Sequence, residues 1–454
     1  MMKNENELLV YSDWMEEPRL IGTLYSSSLR GKQIYSFEYS KQWITDFQNI
    51  ILDPDLYNGP GRQYVPEEKK IFGFLSDCLP DRWGRKLLKR KEEIIAAKER
   101  RNLRELTEYD FLTGVNDESR MGGLRFKLNE NTDYIAVSDS YNVPPLENIR
   151  KLEQASLNFE KTEFTDDKSL QLLLAPGSSL GGARPKATVK DENNILWIAK
   201  FPSRHDDYNI GAWEKVTSDL ARLAGLNMPE TQKKDFSKNG STFLTKRFDR
   251  SYEDGKTKRI HCASALTLLG KIDGADGSDG SSYLEIVDFI KSNSIQPNKD
   301  LEELWNRIVF SIFVSNTDDH LRNHNFILSE QGWHLAPLFD VNPNPLGTKL
   351  SLNITENNDQ KHLSLILDTA KYYNISLDKA KQNIKNIYNV IQSNWKLLAK
   401  SEGISEYEIN MMKNAFDDKS VYQSLSFMNN SEKNIRIKSK SGKSDPDDDF
   451  GHGR

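Results

Sequence analysis

The chain has 454 residues, and its 62 Lys and Arg stand against 67 Asp and Glu, a formal net charge of −5. That near-balance excludes a protein that grips nucleic acid by general electrostatics, so any DNA contact has to be local or made through a partner. Hydrophobic residues at 37% and charged residues at 28%, with 20 Phe, 17 Tyr and 8 Trp, exclude a disordered chain and fit a globular protein of two or three subdomains.

The first unit, 1–128, opens with alternating strands at Leu20 to Leu24 and Ile34 to Tyr39. Met1 to Val10 has neither the basic start nor the apolar run of a signal peptide, and no segment approaches the roughly 20 apolar residues of a membrane span. A cytoplasmic protein without membrane contact is expected. Cys78 and Cys262 lack metal-ligand or C-x-x-C spacing and read as reduced, buried thiols. From Asp81 to Glu105 the pattern turns helical, with apolar positions at Leu87, Leu88, Ile94, Ile95 and Leu103. Arg82, Arg85, Lys86, Lys89, Arg90 and further cations to Arg104 make this either a local phosphate-binding face or a solvated helix with pairs such as Lys89 and Glu93.

Residues 129–168 are polar, contain Pro144 and Pro145, and read as a connecting segment. The next unit, 169–250, begins with the small-residue loop Gly177 to Lys186. Strands at Ala187 to Lys190 and Ile195 to Phe201 flank the turn residues Asp191 to Asn194, which predicts a hairpin. A helix over Trp213 to Leu223, ended by Gly225, and a strand over Ser241 to Phe248 follow. From 251 to 430 the periodicity is mostly helical. Leu301, Leu304, Trp305, Ile308, Val309, Ile312 and Phe313 form one buried stripe, and Leu377, Ile384, Ile387, Ile391, Trp395 and Leu398 a second. The tail, 431–454, is almost free of apolar side chains and is expected to be disordered.

Four constellations carry chemistry. Gly181, Gly182 and Ala183 sit in a loop whose backbone can turn N–H groups toward an anion. Lys200, on the strand behind that loop, can reach nucleotide phosphates, with Glu214 on the next helix to hold it. Asn316 to Asn323 follows the first stripe and spaces Asp318 and Asn323 as a kinase catalytic loop spaces its Asp and its metal-binding Asn. The rival chemistry there is a transition-metal site of Asp318, Asp319, His320 and His324, and a helix N-cap is the bland reading. Asp340 ends a short strand, where a carboxylate can hold Mg²⁺ against phosphates. The order of these pieces weighs more than any one of them.

With those residues in order, the sequence resembles the HipA-type serine/threonine kinases of bacterial toxin–antitoxin systems. The resemblance is carried by Leu20 to Leu24, Leu79 to Arg85, Arg120 to Phe126, Gly181 to Lys186, Lys246 to Arg250, Asn316 to Asn323 and Pro337 to Asp340. It implies an α+β fold: a protein-kinase-like two-lobed fold with an additional N-terminal mixed α/β subdomain and a mostly helical C-terminal lobe. It also implies ATP and Mg²⁺ as cofactors, Asp318 as the catalytic Asp, Asn323 and Asp340 as metal ligands and Lys200 as the phosphate lysine. Lys246 to Phe248 would meet adenine through their backbone, and Lys186 is a further match without an assigned contact. Ser179, with Ser178 as the alternative, matches a loop serine that is autophosphorylated and shuts the kinase off. The implied partners are a HipB-like helix-turn-helix antitoxin, a protein substrate with Ser or Thr, and operator DNA reached mainly through the antitoxin. A small-molecule phosphotransferase and a catalytically idle co-repressor remain as other readings. The presence of Lys200, Asp318, Asn323 and Asp340 together argues against idleness.

Overall fold

In the computed structural model the described residues are 5–135, 143–161, 167–174, 184–253, 255–418 and 421. The expectations for Ser178, Ser179, Gly181, Gly182, Ala183 and the 431–454 tail fall outside them. The chain is α+β, with a sheet region first and a largely helical region last.

Five antiparallel strands form the N-terminal sheet, in the spatial order Gln63–Tyr64, Lys32–Tyr39, Arg19–Leu29, Asn6–Ser12 and Leu124–Lys127. Alternation puts Leu8, Val10, Tyr35, Phe37 and Tyr39 on the buried face. Gly22 pairs with Tyr39, and a Cβ there would lie 2.2 Å from the Glu38 carbonyl oxygen, so strand contact itself requires the glycine. Leu124–Lys127 returns to pair with the first strand, and this ties residues near 120 to the start of the chain.

The basic segment forms a helix over Arg82–Glu99, capped by Asp81, whose carboxylate accepts from the Gly84 N–H at 2.7 Å. Its Trp83 and Leu87 enter a second core with Leu152, Leu173, Val189, Phe201 and Leu244. The stretch 129–168, expected to connect, instead carries a helix at Ile149–Lys161 whose Ile149, Leu152 and Ala155 belong to that core.

Beyond it lies a four-stranded antiparallel sheet in the order Lys186–Lys190, Leu196–Lys200, Gly240–Lys246 and Thr231–Ser237. The expected hairpin turn is held by Asp191, which accepts from the N–H groups of Asn193 and Ile195, both at 2.9 Å. The Ile210–Leu223 helix packs against the sheet so closely that a Cβ on Gly211 would lie 2.1 Å from the Ser241 carbonyl oxygen. A three-stranded sheet, His261–Ser264, Asn325–Ser329 and Gly332–Leu335, then leads into the helical region. There the Pro297–Val314 helix buries the whole of the first stripe, and Leu377–Ser401 buries Ile384, Ile387, Ile391 and Trp395 but leaves Leu377 exposed. Cys78 and Cys262 are both buried. Among the described residues no helix is long and apolar enough to cross a membrane.

Candidate active site

Lys200 ends one hairpin strand directly opposite Lys186 on the other. Both ammonium groups are buried, so each needs a carboxylate. Lys186 meets Asp81 at 3.1 Å, which makes the helix-capping carboxylate a charge partner as well. Lys200 lies 2.6 Å from Glu214 and 2.7 Å from Asp340. Burial alone would strip the proton from Lys200, but these two carboxylates outweigh it and hold the ammonium form. Burial likewise would raise Asp340, yet Lys200, and then Lys186, hold it below the ordinary carboxylate range. Glu214 goes the other way, raised by burial. Asp340 sits at φ +56°, in the left-handed region that non-glycine residues seldom adopt, with Asn342 donating to the oxygen that also meets Lys200.

The segment after the Pro297–Val314 helix is fixed from several sides. The helix ends at Ser315, also left-handed at φ +52°. Asn316 accepts from the Asn342 N–H, Ser351 donates to the Thr317 carbonyl, and the Asn323 side-chain N–H donates to the Asp318 carbonyl at 2.9 Å. The last bond leaves the Asn323 amide oxygen for another partner. Asp318 is exposed, and its carboxyl is raised by partial burial and by repulsion from Asp340 and Asp319, with His320 and Arg82 opposing. Asp319 is buried, accepting from the Tyr283 hydroxyl at 2.8 Å and lying 3.0 Å from His324 Nε2. The rival transition-metal set is thereby divided, since Asp319 and His324 pair with each other inside the protein. Among the described residues no group of three or more His, Cys, Asp or Glu is placed to hold a metal ion.

Lys200, Asp318, Asn323, Asp340 and the Lys246–Phe248 segment line one cavity of about 440 Å³. Met228, Pro229 and Phe243 give it an apolar wall. The backbone N–H groups of Lys246 and Arg247 are committed to the Glu230 and Leu196 carbonyls, and Phe248 packs on Phe339 with ring centres 5.6 Å apart. Lys186 and Glu214 stand behind the cavity wall, each holding its partner. Arg184, where description resumes after the loop, is gripped by Asp206 at 2.9 and 2.5 Å. The ionised Asp340 carboxylate and the Asn323 amide oxygen are the hard oxygen donors that Mg²⁺ takes in sites completed by substrate phosphates, so the residues present fit that ion.

Sequence reasoning missed that the N-terminal region helps build this cavity through Asp77, Asp81, Arg82, Arg85 and Met121. The Leu79 to Arg85 motif was the available signal, but spacing along the chain says nothing of a contact across it.

Residues 178–395 match the family model described as the HipA-like C-terminal domain. A Haemophilus influenzae protein provisionally described as a kinase is 28% identical over 208 residues, 42% of this chain and 59% of that relative. A Sinorhizobium fredii protein with the same provisional description is 28% identical over 148 residues, 32% of this chain and 33% of that one. Both matches span less than two thirds of the relative. Among solved structures, HipA of Shewanella oneidensis MR-1, determined in a toxin–antitoxin complex with HipB and operator DNA, has the same fold. The TM-score is 0.64 at 16% identity, covering 92% of this chain and 97% of that one.

Proposed function

We propose that the chain is an ATP- and Mg²⁺-dependent serine/threonine protein kinase, the toxin of a HipA/HipB-like module. The observation that carries this reading is the joining of Lys200 to Glu214 and Asp340 beside one cavity that Asp318 and Asn323 also line. The two-lobed reading places the hairpin sheet above that cavity and the Pro297–Val314 helix with its following segment below it. Asp318 receives the acceptor hydroxyl and orients it, the role of the catalytic-loop Asp. Lys200, kept charged by its two carboxylates, would bind nucleotide phosphate. Asp340 and Asn323 would hold Mg²⁺, which when bound neutralises charge on the nucleotide's phosphates. Met228, Pro229, Phe243 and Phe248 exclude water around the base. Autophosphorylation of Ser179, or of Ser178, would place a dianion in a loop that has to approach triphosphate, and repulsion would drive the loop out. Binding of an antitoxin, and of operator DNA through it, is consistent with a net charge of −5.

Incubation with ATP and Mg²⁺ followed by intact-mass analysis and peptide mapping tests the site. A phosphate on Ser179 that disappears in Asp318→Ala and Asp340→Ala, while both variants stay folded, is the expected result. Full transfer by either variant would overturn the assignment.

A further inference from the structure

The cations from Arg82 to Arg104 are not equivalent. Arg85 is held by both oxygens of Glu108, at 3.0 and 2.6 Å. Arg90 meets Glu93, Arg101 meets Glu92 and Glu99, and Arg104 meets Asp110. At the cavity, Arg322 is tied to Asp273 at 2.8 Å and lies 3.5 Å from Asp77. Arg82 lines the same cavity and is exposed, and among the described residues no hydrogen bond or ion pair engages its guanidinium. It belongs to the first turn of its helix, where dipole complementarity favours an anion, so its placement is not explained by helix stability.

Its position along the cavity is also defined. Arg82, Asp273 and Asp318 line the same cavity, and the charge of Arg82 acts on both carboxylates, so the guanidinium shares the side of the cleft on which Asp318 would meet the acceptor hydroxyl. Lys200 and Asp340, which the nucleotide phosphates would approach, are joined to each other at 2.7 Å. In a chain of net charge −5, a free cation at the mouth of a cleft concentrates anions locally. A guanidinium is suited to carboxylate and phosphate because its fork can donate two parallel hydrogen bonds.

We propose that Arg82 is a specificity-determining residue for the acceptor, binding a carboxylate or phosphate group that flanks the hydroxyl received by Asp318. The substrate class is thus a Ser- or Thr-bearing segment with acidic or phosphorylated residues close to the phosphorylated position. This deepens the kinase reading and rests on it.

The test is a positional-scanning Ser/Thr peptide library given ATP and Mg²⁺, with ADP release followed in parallel. Three full-length proteins are compared: wild type, Arg82→Glu, and Lys86→Glu, which alters an exposed cation of the same helix away from the cavity. Wild type should favour Asp, Glu or a phosphorylated residue over Lys or Arg at a flanking position by about tenfold, on the scale of charge complementarity at a binding surface. Arg82→Glu should invert that preference and Lys86→Glu should keep it. Separate Glu and phosphoserine arms tell which anion is read. ADP release with peptides labelled regardless of charge, or left unlabelled, would overturn this inference alone, as would a preference that survives Arg82→Glu. No ADP release and no labelled peptide from any of the three would remove the kinase reading, and this inference with it.

Discussion

Asp318 and Asp319 are adjacent carboxylates in opposite surroundings, and the difference decides what each can do. Asp318 faces the cavity, exposed and raised, so it is free to meet a hydroxyl. Burial alone would raise Asp319 too, but His324 and the Tyr283 hydroxyl hold it below the ordinary carboxylate range. It can serve only as an anchor, fixing the Asp318 backbone from the Tyr283–Asn293 helix and from the entry to the Asn325–Ser329 strand. Tyr283→Phe removes one donor from a buried carboxylate, which should lower stability by about 1–3 kcal/mol. If the anchor positions Asp318, kcat for phosphoryl transfer should drop several-fold while the KM for ATP stays within about twofold, and single-turnover kinetics separates the two. A variant that loses stability but keeps kcat would show the anchor to be structural only. That Asp318 and Asn323 meet at one cavity was legible in the sequence, because only a short local spacing separates them. The different surroundings of Asp318 and Asp319 were not, since they depend on Tyr283, which is remote in the chain.

At the scale of elements, Asp81 joins a helix to a sheet. One oxygen caps the Arg82–Glu99 helix at Gly84, and the other meets the buried Lys186 on the hairpin. Asp81→Asn should keep a capping acceptor while leaving Lys186 without its counter-charge, at a cost of about 3 kcal/mol. Asp81→Ala should add about 1 kcal/mol for the lost cap. Lys186→Met should recover most of the Asp81→Asn loss, a coupling that urea denaturation of both single variants and the double variant would measure. Strictly additive losses would mean that the pair contributes nothing. The hairpin itself was legible because Asp191 to Asn194 are turn residues between two apolar runs. The Ile149–Lys161 helix carries its own signal, with Ile149, Leu152, Ala155 and Phe159 at three- and four-residue steps, but the polar stretch with Pro144 and Pro145 before it reads as a connection. Its buried Glu153 is satisfied by the Thr242 hydroxyl at 2.6 Å. The basic helix was half legible: it is salt-bridged as expected of a solvated helix, but from Arg90 to Glu93 and from Arg85 and Glu92 to Glu108 and Arg101 beyond its end, and among the described residues not through Lys89.

Across the whole molecule, the N-terminal region satisfies charges buried next to the Lys246–Phe248 segment. Asp249 accepts from Gly122 N–H at 2.7 Å and from Arg247 and Arg250, while Arg247 donates on to the Ser119 and Arg120 carbonyls. Arg259 reaches Asp117, and Ser264 reaches Asp77. His261 sits on the same seam, stacked on Trp14 at 4.4 Å and close to Trp333, with no hydrogen-bond partner for Nε2 among the described residues. Burial pushes its imidazolium down to about 3, from an ordinary value of 6.5. Between those values the unfolded chain binds more protons than the folded one, so this group's contribution to stability is lost as pH falls from about 6.5 toward 3. The loss is about 1.4 kcal/mol per pH unit within that window. Asp53 opposes it, because burial raises its carboxyl to about 6 and the folded state then binds the extra proton. The wild-type slope is therefore a difference, and comparison with His261→Phe, which keeps a ring against Trp14 but cannot titrate, isolates the histidine. Urea midpoints from pH 7 to 4.5, above the range where the depressed Asp249 titrates, should fall more steeply in wild type than in His261→Phe. Parallel slopes would mean that His261 reaches water before the molecule unfolds, and that the seam between the N-terminal sheet and the rest of the chain opens locally.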